Sequence, residues 1–182
     1  MKMQVSVSSQ TAATMPAWQK EVKHIIASAS PTGKIAMVGM GHPLRTDDYS
    51  GSYIIKKMIA RGMRDTSGAV LLFDGEDNVE NLVTKIAEVD PHHVIFIDAC
   101  ELKEPPGTTQ LIPVSQTSFP FFTTHGVPLK LLAQRIFTKS QVWILAIQPK
   151  NTDFGEQLSR EIRNIADSIS EFLIRLVKER GQ

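Results

Sequence analysis

Short apolar runs alternate with segments of helical period along most of this chain, and that alternation limits its fold more than any other feature. KIAMVGM (Lys34–Met40), AVLLF (Ala69–Phe73), HVIFI (His93–Ile97) and VWILAI (Val142–Ile147) are apolar on successive residues, not on alternate ones. Strands of that kind need cover on both faces, as in a mostly parallel sheet between helices. Helices are predicted in the gaps. Ser50–Gly62 sets Ile54, Ile55, Met58 and Ile59 on one face, and Gly62 is its stop signal. Val79–Val89 does the same with Val79, Leu82, Val83 and Ile86, and Pro128–Phe137 with Leu131, Leu132 and Ile136. Glu156–Lys178 is a long amphipathic helix through Leu158, Ile162, Ile165, Ile169, Phe172, Leu173 and Leu176. Gln110–Val114 reads as one more strand, near an edge. The expected fold class is therefore α/β: a mostly parallel twisted sheet of about five strands sandwiched between helices.

An N-terminal arm precedes this pattern. Residues 1–15 are rich in Ser, Thr and Gln and carry no period, whereas Trp18, Val22, Ile25 and Ile26 recur at helical spacing after Pro16. Ser30-Pro31-Thr32-Gly33 ends that helix. The expected division is an arm and helix over 1–33 and a domain over 34–182.

Composition narrows the function. A chain of 182 residues can bury a full core without disulfides. With 20 Lys+Arg against 19 Asp+Glu the net charge is +1, which argues against a nucleic-acid partner. The single cysteine, Cys100, excludes an internal disulfide and any multi-cysteine zinc site, and it reads as a small buried hydrophobe. No run approaches the ~20 apolar residues of a membrane span, and the first residues lack the apolar core of an export signal. A cytoplasmic chain with no membrane insertion is the expectation.

In open α/β sheets ligands bind outside the carboxyl ends of the strands. Here those ends are Gly39–Asp48, Asp74–Asp77, Asp98–Glu101 and Ile147–Pro149, which hold most of the conspicuous carboxylates. The first loop, GMGHPLRTDDYSG, is glycine-rich, but a dinucleotide fingerprint would need glycine where Leu44 stands, and Pro43 removes a backbone donor. Two acids at the following helix would repel phosphate as well. The commonest role for Asp47 is to cap the helix starting near Tyr49, which leaves Asp48 to face the cleft. Asp98, read as the residue that stops its strand, is costly to half-bury without a partner. In TTHGVPL (Thr123–Leu129), Thr123 or Thr124 can cap the helix that Pro128 starts, and the helix dipole favours a neutral imidazole at His125. His92 and His93 sit at the far end of a strand, and His24 on a surface helix. Two Asp and one His on three loops at one end of a sheet make an O,O,N set suited to nickel, zinc or iron(II). The chain has no HExxH and no GxSxG. Lys56, Lys57, Arg61 and Arg64 read as a solvated helix face.

Five motifs in order carry a family resemblance: Gly41 with Asp47-Asp48 and Gly51, Asp74-Gly75, Ile97-Asp98-Ala99, Thr123-Thr124-His125-Gly126-Val127-Pro128-Leu129, and Ile147-Gln148-Pro149. Over about residues 34–178 the chain resembles the [NiFe]-hydrogenase maturation endopeptidases, most of all the branch that processes hydrogenase 3. The resemblance implies a peptidase that clips a C-terminal extension from the precursor of a hydrogenase large subunit once nickel is inserted. The nickel arrives on the substrate, and no organic cofactor is expected. By the same resemblance Asp48, Asp98 and His125 would be the nickel-sensing ligands. No Ser or Cys stands out as a nucleophile, so a carboxylate activating water is the simplest chemistry, with Asp48 and Asp98 as catalytic candidates beside Asp47. Asp47, His42, Asp74, Glu76 and Thr124 are candidates for substrate contact or for support of the ligands. Two positions depart from the family pattern: His42 replaces an asparagine, and Asp74-Gly75-Glu76 replaces Asp-Gly-Gly. A non-proteolytic assembly chaperone that senses nickel in the precursor is the alternative reading.

Overall fold

A computed structural model describes residues 15–29, 33–63, 69–117 and 129–180. Strands β1 (Ile35–Met40), β2 (Val70–Glu76), β3 (His93–Ala99), β4 (Thr109–Pro113) and β5 (Gln141–Ile147) form one sheet in the order β2-β1-β3-β5-β4. The helices among the described residues are α1 (Ala17–Ser28), α2 (Ser50–Ala60), α3 (Val83–Glu88), α4 (Leu129–Arg135) and α5 (Arg160–Arg180). β1 runs parallel to β2 and β3, and β3 parallel to β5, while β4 closes one edge antiparallel to β5. The expected α/β sandwich is the observed one.

The doubly apolar strands serve two cores. Because successive side chains point to opposite faces, Ile35, Met37, Ile95, Ile97 and Leu145 join the buried residues of α1, α2 and α5. Ala36, Val38, Val94, Phe96 and Ile144 join those of α3 and α4. Helix α1 buries Trp18, Val22, Ile25 and Ile26, the four residues whose spacing predicts it. Its Trp18 ring meets Phe172 of α5 edge-on at 5.3 Å between centroids. The guanidinium of Arg180 donates to the carbonyls of Ile26 and Gly33, both at 2.9 Å, so the end of α5 ties down the end of α1.

Several boundaries differ from the sequence expectation. β3 does not stop at Ile97 but continues through Asp98 and Ala99, which pair with Ala146 and Ile147. The ladder to β5 overrides the poor strand propensity of Asp. α5 begins at Arg160, several residues later than its apolar period, because the Ser159 hydroxyl accepts the Ile162 N–H (3.4 Å) as an N-cap. The basic face that reads as solvated is partly exposed and also ion-paired within the chain. Lys56 lies 3.4 Å from Asp74 and 2.5 Å from Glu76, Lys57 2.8 Å from Asp167, and Arg61 3.2 Å from Glu171. These cations face carboxylates of their own chain, while Arg64 lies outside the described residues. Among the described residues no helix is long and apolar enough to cross a membrane.

Candidate active site at the carboxyl end of the sheet

The strand order reverses at β1, which has β2 on one side and β3 on the other, so the crevice of the fold opens between the carboxyl ends of β1 and β3. Glycines press the next segment into it. A β-carbon on Gly51, at the start of α2, would overlap the Ile97 carbonyl and sit 2.5 Å from that of Met40, so this residue is wedged between the two strand ends. A β-carbon on Gly39 would lie 2.5 Å from the Gly51 carbonyl, and Gly41 (φ +139°) passes close under the Asp48 carbonyl. Only glycine permits that approach.

The 3-10 turn Thr46–Tyr49 between β1 and α2 thus packs on β3, which brings Asp48 beside the strand end that carries Asp98. Both side chains are buried, with relative exposures of 1% and 0%. The Asp48 Oδ2 accepts the His42 N–H at 2.9 Å. By strand alternation Asp98 shares a face with Phe96 and Cys100, the face covered by α4. Burial, and then the charge of Asp98, push the Cys100 thiol well up, so it stays protonated, as expected for a small buried hydrophobe.

Asp47 is not the helix cap that its position predicts. Neither the 3-10 turn nor α2 has a side-chain cap. The Asp47 carboxylate instead turns to the loop between β5 and α5. Its Oδ2 accepts the N–H groups of Lys150 and Asn151 and the Ser159 hydroxyl, all at 3.0 Å, and its Oδ1 accepts the Ser159 N–H at 2.6 Å. The two loops are interlocked further. Thr46 N–H donates to the Gly155 carbonyl (2.9 Å), Gly155 N–H to that of Leu44 (2.8 Å), and Asp47 N–H to that of Asn151 (3.1 Å). Thr46 holds a positive φ of 40°, and its hydroxyl bonds to the carbonyls of Asn151 and Asp153 secure that strained backbone.

Further acids of this sheet end lie at the β2 edge. Asp74 and Glu76 face Lys56, whose ammonium also lies 5.3 Å from the Tyr49 ring centroid. Burial alone would lower the Lys56 pKa, but hydrogen bonds to Glu76 and Tyr49 and the charge of Asp74 carry it well above the ordinary lysine value. Glu76 occupies a positive φ of 45° and Gly75 does not, so the strained position of this turn is the one that carries a side chain. The His42 Nδ1 accepts the Leu44 N–H at 3.1 Å, and its Nε2 lies 3.7 Å from Asp77.

Gln148 is a support that residue types did not single out, although it stands in a motif of the resemblance. Its Oε1 accepts the Leu102 N–H (2.7 Å) and the Glu104 N–H (3.4 Å), and its Nε2 donates to the Pro149 carbonyl (3.2 Å). One side chain therefore joins the loop after β3 to the end of β5. The signal for it is a long amide directly after an apolar strand. Lys56 and Ser159 had no local signal. His125 and Thr124 lie outside the described residues. Among the described residues no three His, Cys, Asp or Glu side chains could together hold a metal ion.

Residues 53–176 match the family model described as HycI, hydrogenase maturation protease. The chain belongs to that family. The peptidase class expected from the resemblance follows with it. A Methanocaldococcus jannaschii protein named as a hydrogenase maturation protease is 27% identical over 154 residues, 80% of this chain and 89% of the relative. The Escherichia coli hydrogenase 3 maturation protease is 25% identical over 136 residues, 74% of this chain and 85% of the relative. The crystal structure of HycI, a [NiFe]-hydrogenase maturation protease from Thermococcus kodakarensis, superposes with a TM-score of 0.76 at 24% identity over 87% of this chain and 99% of that one. That last likeness establishes the shared fold. In this member of the hydrogenase maturation protease family, Asp48 and Asp98 are the buried acids at the switch point of the sheet.

Proposed function

We propose that this chain is an endopeptidase that removes the C-terminal extension from a nickel-loaded precursor of a [NiFe]-hydrogenase large subunit. The observation that carries this reading is the burial of Asp48 and Asp98 on adjoining segments at the switch point of the sheet. In the proposal the nickel belongs to the substrate, and Asp48, Asp98 and His125 complete its coordination. Metal docking then reports that the cofactor is loaded and sets the scissile bond near the carboxylates, and positioning of that kind is a large effect in catalysis. Asp48 or Asp98 activates the attacking water as general base. Asp47, committed to the neighbouring loop by four hydrogen bonds, serves as the anchor of the site. The cytoplasm, where precursors are assembled under this reading, is the proposed compartment.

The deciding experiment is the intact mass of a nickel-loaded and a nickel-free precursor after incubation with this protein. Loss of a C-terminal peptide from the loaded form alone is the expected result. Asp48→Asn, Asp98→Asn and His125→Ala should each lower processing by more than about 100-fold while the circular dichroism of the fold is retained. Normal processing by all three variants would refute the ligand assignment. Binding of the loaded precursor with no mass loss would replace the peptidase by a chaperone.

A further inference from the structure

Among the described residues Phe154 is the most exposed large apolar side chain. Its relative exposure is 81%, against 36–45% for Met15, Leu44, Ile59, Leu131 and Ile136, the other exposed large hydrophobics among those residues. It projects from the loop between β5 and α5, at the same end of the sheet as Asp48 and Asp98. A slack loop could hide such a ring, but this loop is held on both sides of Phe154. Before it, the carbonyls of Asn151 and Asp153 accept the Thr46 hydroxyl (2.7 and 3.1 Å), and the Thr152 carbonyl accepts Nε of Arg45 (3.4 Å). After it, Gly155 exchanges backbone hydrogen bonds with Leu44 and Thr46 and forms a bridge with Arg45. Asp47, the neighbour of Asp48, fixes the base of the same loop.

We propose that Phe154, with Leu44 exposed on the loop hydrogen-bonded to its own, is the docking anchor for the precursor polypeptide, and that it takes an apolar segment of that substrate next to the cleavage site. The inference rests on the peptidase reading. Three observations select this occupant. The loop bearing the ring is hydrogen-bonded residue by residue to the loop bearing Asp48, so whatever covers Phe154 adjoins the proposed site. The two hydrogen-bonded loops also carry exposed polar residues, Arg45, Asp153 and Glu156, which can form the polar rim that an aromatic anchor has at an interface. The backbone is already ordered, so little entropy is lost when the ring is covered. A polypeptide substrate needs a handhold away from the scissile bond, and binding there costs the chemistry nothing.

Steady-state cleavage of the nickel-loaded large-subunit precursor encoded in the same genome, by the full-length chain, tests this. Phe154→Ala should raise KM by roughly 10- to 100-fold, the range expected for uncovering one apolar ring, and leave kcat within about 2-fold. The thermal midpoint should not move, and Phe154→Leu should recover part of the lost affinity. An unchanged KM in Phe154→Ala beside active wild type would overturn the docking role and leave the peptidase reading intact. A variant that changes the sedimentation of the free protein, with KM unaltered, would assign the ring to contacts between copies of this chain and refute the proposal. Wild type that neither binds nor cleaves the precursor would remove the peptidase reading and this inference together.

Discussion

Two groups of carboxylates share the carboxyl end of one sheet and are stabilised in opposite ways. At the β2 edge, Asp74, Glu76 and Asp77 are partly exposed, and the groups facing them are the side chains of Lys56 and His42. At the centre, Asp47, Asp48 and Asp98 are buried, and the donors seen on Asp47 and Asp48 are backbone N–H groups with one serine hydroxyl. Exposed ion pairs of the first kind contribute about 0–1 kcal/mol each. A buried carboxylate has several kcal/mol of desolvation to offset, and fixed amide dipoles do so without a flexible partner. Asp74 and Glu76 are thus supplied with the Lys56 cation of their own chain, whereas Asp47 is held by backbone N–H groups and a serine of the neighbouring loop.

If that contrast is right, substitutions at the centre should be far more costly than those at the edge. The largest effect is expected from Gly51→Ala, whose new methyl group would overlap the Ile97 carbonyl and force backbone to move. A loss of more than about 3 kcal/mol in urea unfolding is predicted, and a loss under about 1 kcal/mol would show that the centre has slack the geometry does not reveal. Asp47→Ala comes next. It strips four hydrogen bonds from the Lys150–Ser159 loop and should cost roughly 3 kcal/mol, with Asp47→Asn recovering part because one acceptor oxygen remains. Equal stabilities of Asp47→Ala and wild type would erase the distinction between the two groups. The smallest effect is at the edge. Glu76→Ala and Glu76→Gly both remove the pair with Lys56, but only glycine relaxes the positive φ. The glycine variant should be the more stable of the two by about 0.5–1 kcal/mol after the entropy of its unfolded chain is counted, and the reverse order would mean that this turn carries no strain.

What could be read in advance follows from the range over which each feature is encoded. Ile35, Met37, Val38 and their counterparts announce a doubly covered sheet because every residue of a short run is apolar. The α1 face is legible because Trp18, Val22, Ile25 and Ile26 fall on one side of a helix. Asp98 stands out as an acid at the end of an apolar run and Asp48 as one of an acid pair in the loop after another, and the strand rule assigns both to the same end. Asp47 was misread because capping is the commonest local role for such an acid, and nothing within a few residues of it points to Ser159, 112 positions away. The ion pairs of Lys56 are hidden for the same reason, since Asp74 and Glu76 reach it only once β2 lies beside β1.

The sequence by itself therefore determined the α/β class, the faces of the helices and the end of the sheet where the conspicuous acids gather. These depend on local period and on residue type, which tertiary contacts rarely overturn when the signal is long and regular. Only the tertiary structure decided that Asp47 anchors a loop, that Lys56 serves the edge acids and that Phe154 stands uncovered on a rigid support. Each of those depends on segments far apart in the chain meeting at a fixed distance, and chain closure over a hundred residues leaves no periodic trace in the order of the amino acids.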